Sequence, residues 1–202
     1  MASHSAKSLF DLNIKSASDS VALYDAIEKL KPKGVDIEWV LRAAVVFAVS
    51  ALDTFFHDKV KYRVGKYDLQ NMPPQLAKFE VRLEGLSEWD AAQRKGNVLR
   101  NWVVDSLSSK ALQSPSAIAE TLKLAGIEAL WDTIEPDKKK KEIMLAQLNS
   151  LVQRRNQIAH EGDRMTSRKS GKALRPIDRD QVHDWIALVV DIVVRVETAF
   201  PK

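Results

Sequence analysis

An all-α helical bundle is the fold class this sequence predicts, on three observations. The 202 residues include only seven Gly and seven Pro, and these sit between long segments rather than within them. Inside those segments, apolar residues recur at three- and four-residue spacing, the period of a helix with one buried face. No long apolar run alternates with the two-residue period of a half-buried strand. Long helices at about 36–63, 137–160 and 178–200 form the predicted frame, with shorter helices between them.

The elements follow in chain order. Ser18-Asp-Ser-Val, followed by Leu23, Ala26, Ile27 and Leu30, predicts a first helix that ends at Lys31-Pro-Lys-Gly34. Asp36 is the expected N-cap of the second, whose Ile37, Leu41, Ala44, Ala48, Ala51 and Phe55 line one apolar stripe. Its valines are β-branched, but the run is too long for a strand. Pro73-Pro74 opens a predicted helix through about Leu86, and Asn97 to Leu112 reads as another. Ser114-Pro115 caps and starts a short one through Leu124. Glu135-Pro-Asp137 starts a strong helix to about His160, and a basic loop covers Glu161–Ile177. Pro176-Ile-Asp178 opens the last helix, with Val182, Trp185, Ile186, Val189, Val193, Val196 and Phe200 as its stripe.

Composition narrows the function. The length suits one domain spanning 1–202. Zero cysteine excludes disulfides, thiolate zinc sites, iron–sulfur clusters and a Cys nucleophile. The most apolar run, Ala43 to Leu52, is roughly half of what a bilayer span needs, and Met1–Phe10 has no apolar core of signal-peptide length. A cytoplasmic protein with no membrane partner is the expectation. Net charge is +4, yet residues 137–177 hold eleven basic and four acidic side chains (11 − 4 = +7), which leaves −3 for the rest. Such an imbalance points to an anionic partner meeting that segment.

Standard catalytic motifs are missing. Gly162 and Gly171-Lys172 are spaced too widely for a phosphate loop, no G-x-G-x-x-G occurs, and the second His of a zinc-protease motif would fall on Arg164. No metal or other cofactor is called for. The informative stretch is Leu151-Val-Gln-Arg154-Arg155-Asn156-Gln-Ile-Ala-His160-Glu-Gly-Asp163. At 100° per residue, Met144, Leu148, Leu151 and Ile158 share one stripe, and Arg155 lies in its middle. A guanidinium on an apolar face is expensive when unpaired. Either a buried carboxylate meets it, or the face opens onto a cleft where an anion arrives. His160 follows five residues later, near the helix-stopping Gly162, and histidine ordinarily titrates near neutrality.

On the second helix, Arg42, Ser50, Asp53 and His57 share a face opposite the apolar stripe, with Val46 and Val49 among them. Asp53 and His57 are one turn apart and within hydrogen-bonding reach. Valines in that face suggest that something covers it, a second subunit being the expected cover.

These residues resemble the HEPN domains (higher eukaryotes and prokaryotes nucleotide-binding). The carriers are Arg155-Asn156-Gln-Ile-Ala-His160 near the end of a penultimate helix, then a loop and a final amphipathic helix. The stretch from Leu41 to Asp58, with Asp53 three positions after Ser50, is similar to the early helix of the branch found in prokaryotic RNA-targeting conflict and phage-defence systems. The resemblance spans roughly residues 9–200, with about 65–130 as a helical insertion. It implies a metal-independent endoribonuclease, active as a homodimer in which the motif helices of two chains meet. Arg155 would contact the scissile phosphate and His160 would support proton transfer, with Asn156 orienting and Asp53 supporting. RNA would be the partner, met by Arg154, Arg164, Arg168, Lys169, Lys172 and Arg175. A toxin or defence effector with a cognate antitoxin or system partner is implied too. The competing readings are an HEPN module that binds RNA or a partner protein without cutting, and a helical dimerisation scaffold in which Arg155 is structural.

Overall fold

The computed structural model describes residues 5–31, 33–68, 70–81, 83–165 and 173–201, all helices and connections apart from one isolated bridge. Helix α1 (Ala6–Leu30) begins twelve residues before the expected start at Ser18. Its cap is Ser5, whose hydroxyl accepts the Ser8 amide at 3.0 Å, and it buries Phe10, Ile14, Ala17 and Val21 against α2. Ser18 is no cap: it lies within the helix, its hydroxyl turned back toward the Ile14 carbonyl.

Helix α2 (Glu38–Val64) is the axis around which the rest is packed. Asp36 takes the Glu38 amide at 2.9 Å, so it stabilises this start from one position outside the expected cap geometry. By length and composition α2 could cross a membrane, yet most of its apolar window is buried inside the bundle, as in a core helix. Phe55 stacks edge-on with Phe10 and Phe56, at centroid distances of 5.8 and 5.2 Å. Each such pair contributes about 0.5–1.5 kcal/mol beyond the area it buries.

The middle of the chain departs most from expectation. The helix expected from Pro73 to Leu86 is one turn, α3 (Pro74–Ala77), followed by a break and α4 (Glu84–Ala91). Leu76 is buried, but Val81 and Leu83 are exposed, so no core contact would hold a continuous helix past Phe79. Helix α5 (Lys95–Leu107) crosses the end of α2 so closely that a Cβ on Gly96 would stand 2.6 Å from the Gly65 carbonyl oxygen. Only glycine fits there. Helix α6 (Pro115–Leu122) has the expected cap, Ser114 accepting the Ala117 amide at 3.2 Å. A 3-10 turn (Lys123–Ala125) and α7 (Leu130–Ile134) complete the middle; α7 was not anticipated.

Helices α8 (Lys138–Glu161) and α9 (Arg179–Ala199) start where their caps predict: Asp137 accepts the Lys140 amide and Asp178 the Gln181 amide, each at 2.8 Å. Polar ties fix the frame. Arg179 grips Asp25 through two bonds of 3.0 and 2.8 Å, and the buried Lys59 ammonium reaches Glu197 at 2.9 Å. Buried residues of α1, α2, α5, α6, α8 and α9 merge into one core.

Candidate active site

The C-terminal end of α8 is where the informative stretch lies. Gly162 terminates the helix at φ +60°, and the Asp163 amide returns to the Gln157 carbonyl at 2.9 Å. Asp163 is itself left-handed at φ +57°, a conformation that aspartate tolerates better than most residues. This turn drives its carboxylate into the protein, where it is only 1% exposed.

Two arginines converge on that carboxylate. Asp163 Oδ2 accepts from Arg42 Nε at 2.6 Å and from Arg154 Nη2 at 2.9 Å. Arg42, 7% exposed, also donates to Glu38 Oε2 and to the Arg175 carbonyl, both at 3.0 Å. Arg154 Nη2 reaches the Arg175 and Pro176 carbonyls at 3.1 and 3.0 Å, while Arg175 Nη2 donates to Glu161 at 2.9 Å. The cluster therefore sets Arg42, Arg154 and Arg175 against Glu38, Glu161 and Asp163, three charges against three. Burial works against the Arg42 charge, but its bonds to Asp163 and Glu38 outweigh that and lift its pKa above the usual arginine value. Burial lowers that of Arg154 despite Asp163, with Arg42 and Arg175 adding to the effect. The result is a clamp that ties the end of α8 and the return of the loop, at 175–176, to the start of α2.

Arg155 lies one residue, or about 100° of helix, away from this clamp. It continues the stripe of buried Met144, Leu148 and Leu151 and is half-buried. Among the described residues no carboxylate meets it. Its Nη1 donates to Asn156 Oδ1 at 3.2 Å, and its Nε is shut away from solvent with no hydrogen-bond partner there. His160 lies one turn beyond Asn156, and both are exposed. Arg155 and His160 are about 140° apart around the axis, and the bond to Asn156 draws the guanidinium toward the face that carries His160.

The chain matches the RiboL-PSP-HEPN family model over residues 12–201. It belongs to the HEPN family. Neither curated proteins nor solved structures give a match. Membership carries a nuclease or RNA-binding role for the domain.

Within this HEPN domain the other candidates are dispersed. Asp53 Oδ1 accepts the Leu112 amide at 2.5 Å, and His57 Nε2 contacts the Lys110 carbonyl at 3.0 Å. Asp53 and His57 are 3.8 Å apart, too far for the expected hydrogen bond. Both hold the segment before α6, and neither bonds to Arg155 or His160. Val49, expected at a subunit contact, is fully buried within the chain, while Val46 is half-buried. Arg154 and Arg175, expected on RNA, are paired within the chain with Asp163 and Glu161. Arg164 is exposed and bridges to Leu174 across the loop, where the Met165 amide meets the Ala173 carbonyl at 2.9 Å. Arg168, Lys169 and Lys172 lie outside the described residues.

Sequence reasoning missed Asp163 and the pairing of Arg42. The available signal was Asp163 directly after a helix-stopping glycine, a place where an acidic residue can turn left-handed and inward. Among the described residues no three His, Asp or Glu side chains gather into a metal-ligating group.

Proposed function

We propose that this HEPN domain is a metal-independent endoribonuclease with Arg155 and His160 as its catalytic residues. The observation that carries the reading is the contrast between adjacent arginines. Arg154 is neutralised by a buried carboxylate, while Arg155 meets none among the described residues, donates to Asn156 one turn before His160, and continues a buried stripe. A phosphate is the acceptor such a fork suits.

The chemistry needs two services. The ribose 2′-oxygen attacks the adjacent phosphorus as its proton leaves; the bond to the 5′-oxygen breaks, and that oxygen takes up a proton. His160 serves the proton transfers, and Arg155 bears the charge that builds on the non-bridging oxygens. The products are a 2′,3′-cyclic phosphate and a 5′-hydroxyl. One Arg155 is modest for a dianionic transition state, so the reading includes a homodimer whose two-fold axis brings a second Arg155 and His160 to the same cleft. Asp53 enters as a structural support, through Leu112. The similarity of Leu41–Asp58 to the defence branch extends the proposal to a cytoplasmic toxin or phage-defence effector acting on RNA, restrained by a cognate antitoxin or system partner.

The test is incubation of the purified chain with single-stranded RNA, with and without EDTA. Arg155→Ala should slow cleavage about 10²–10³-fold and His160→Ala about 10²–10⁴-fold, with folding unchanged. Cyclic-phosphate ends should form in EDTA. Cleavage stopped by chelator and restored by metal would refute the metal-free mechanism. RNA bound by the wild type without being cut would make the domain a binding module.

A further inference from the structure

Roughly 30 Å along α2 from the clamp, near its C-terminal end, lies a cavity of about 360 Å³. Leu9 of α1, Asp58, Lys61 and Tyr62 of α2, Lys66 just beyond it and Arg100 of α5 line it. Three cations thus share it with one carboxylate. Lys66 sits against the Tyr62 ring, its Nζ 4.4 Å from the centroid, which holds the ammonium at the wall. The close approach of Gly96 to Gly65 brings α5 down onto the end of α2, and the Arg100 side chain packs alongside Gly65.

A helix-end explanation covers part of this. Lys61 stands in the last turn of α2, where the carbonyl end of the dipole favours a cation. It does not cover Arg100. That residue is on another helix, has no hydrogen-bond or ion-pair partner among the described residues, and its Nε is buried and unsatisfied. The Nε–H of this half-buried guanidinium lacks an acceptor, and a phosphate in the pocket would supply acceptors to the group. Phosphate oxygens supply several acceptors and match the fork of an arginine. The volume lies in the range of small-ligand sites.

We infer that this pocket binds a phosphate group, presented by an RNA backbone or by a free phosphorylated small molecule. Lys61, Lys66 and Arg100 hold its oxygens, and Asp58 weakens the site. The inference is separate from the ribonuclease reading, because nothing in it depends on cleavage.

The experiment is equilibrium binding to the 202-residue chain carrying Arg155→Ala, so that any RNA stays intact on the catalytic reading. The probes are inorganic phosphate, adenosine monophosphate and a single-stranded RNA dodecamer, titrated at several salt concentrations. Arg100→Gln and Lys66→Gln should each weaken binding about tenfold, the loss of one charge-assisted contact. Arg100→Lys should recover part of that loss, and Asp58→Asn should tighten binding, a gain that mere destabilisation does not produce. Losses confined to the dodecamer, with a salt slope lower by about 0.7 per contact, identify the RNA backbone. Losses with phosphate and the mononucleotide identify a small-molecule site. If neither small probe binds, and RNA affinity and salt slope are the same in Arg100→Gln, Lys66→Gln and their parent, the inference is overturned.

Discussion

Asp163→Ala tests the clamp most directly. The substitution removes the acceptor of two bonds, at 2.6 Å from Arg42 and 2.9 Å from Arg154, and leaves Arg42 buried with Glu38 as its remaining carboxylate. Removing one partner of a buried ion pair costs about 3–5 kcal/mol, because the other charge stays behind uncompensated. Alanine held at φ +57° adds about 1 kcal/mol that aspartate largely avoids. The expected loss is therefore about 4–6 kcal/mol, a large share of a stability of about 5–15 kcal/mol. Urea denaturation of the full chain would measure it as a lower midpoint at unchanged slope. Arg42→Met in the Asp163→Ala background should restore at least about 1 kcal/mol, since it removes the orphaned charge. Arg155→Ala breaks no ion pair among the described residues and should stay within about 1 kcal/mol of wild type. A loss below about 1 kcal/mol for Asp163→Ala, or strict additivity in the double variant, would refute the clamp.

Two further predictions concern pH and assembly. Burial pushes the Asp58 carboxyl above the usual carboxylate range, although Lys61 and His57 pull it down. The folded state therefore holds the Asp58 proton more tightly than the unfolded chain, and this group contributes stability as pH falls through its folded pKa, which is lost as pH rises. Asp58→Asn should be more stable than wild type at pH 7, with an advantage that shrinks toward pH 4 in urea melts; an advantage independent of pH would contradict the burial argument. For the composite site, sedimentation and cleavage followed over one dilution series should show specific activity falling as the protomers separate. Val46→Asp, at the half-buried valine of α2, should shift the transition to higher protein concentration. A folded monomer with full specific activity would remove the second Arg155 from the mechanism.

Local chemistry explains what the sequence made legible. Asp137, Ser114 and Asp178 cap the helices they were expected to cap, because a short side-chain acceptor two or three residues before an amide acts without help from the rest of the protein. The stripe position of Arg155 was legible for the same reason: helix geometry alone sets it. The start of α1 was hidden because Phe10, Ile14 and Ala17 lie in a stretch broken up by Lys, Ser, Asp and Asn, and α2 supplies their reason to be helical. A helical wheel placed Val49 on a face but could not name the neighbour covering it, which is the same chain. Asp163 lies outside any helix, so no period marks it as buried. Its placement depends on Arg42, 121 positions earlier.

The clamp sharpens the charge argument. Residues 137–177 contain eleven basic and four acidic side chains. Arg154 and Arg175 pair within that segment with Asp163 and Glu161, so removing them leaves nine against two, and the excess is still +7. Four of the nine are Lys138–Lys141 at the start of α8, beside Asp137 and Glu142; the other five are Arg155, Arg164, Arg168, Lys169 and Lys172, at its far end and in the loop. In sequence, residues 154–177 therefore carry seven basic and two acidic side chains (7 − 2 = +5). Had Arg154 and Arg175 faced RNA instead, Asp163 and Glu161 would have remained as anions repelling the same backbone. Pairing them costs the segment no net charge and neutralises both repulsive groups, Asp163 in the interior and Glu161 at the surface. On the ribonuclease reading, a neutral clamp next to a segment of net positive charge is the arrangement expected where a polyanion must be attracted and one phosphate held in register with His160.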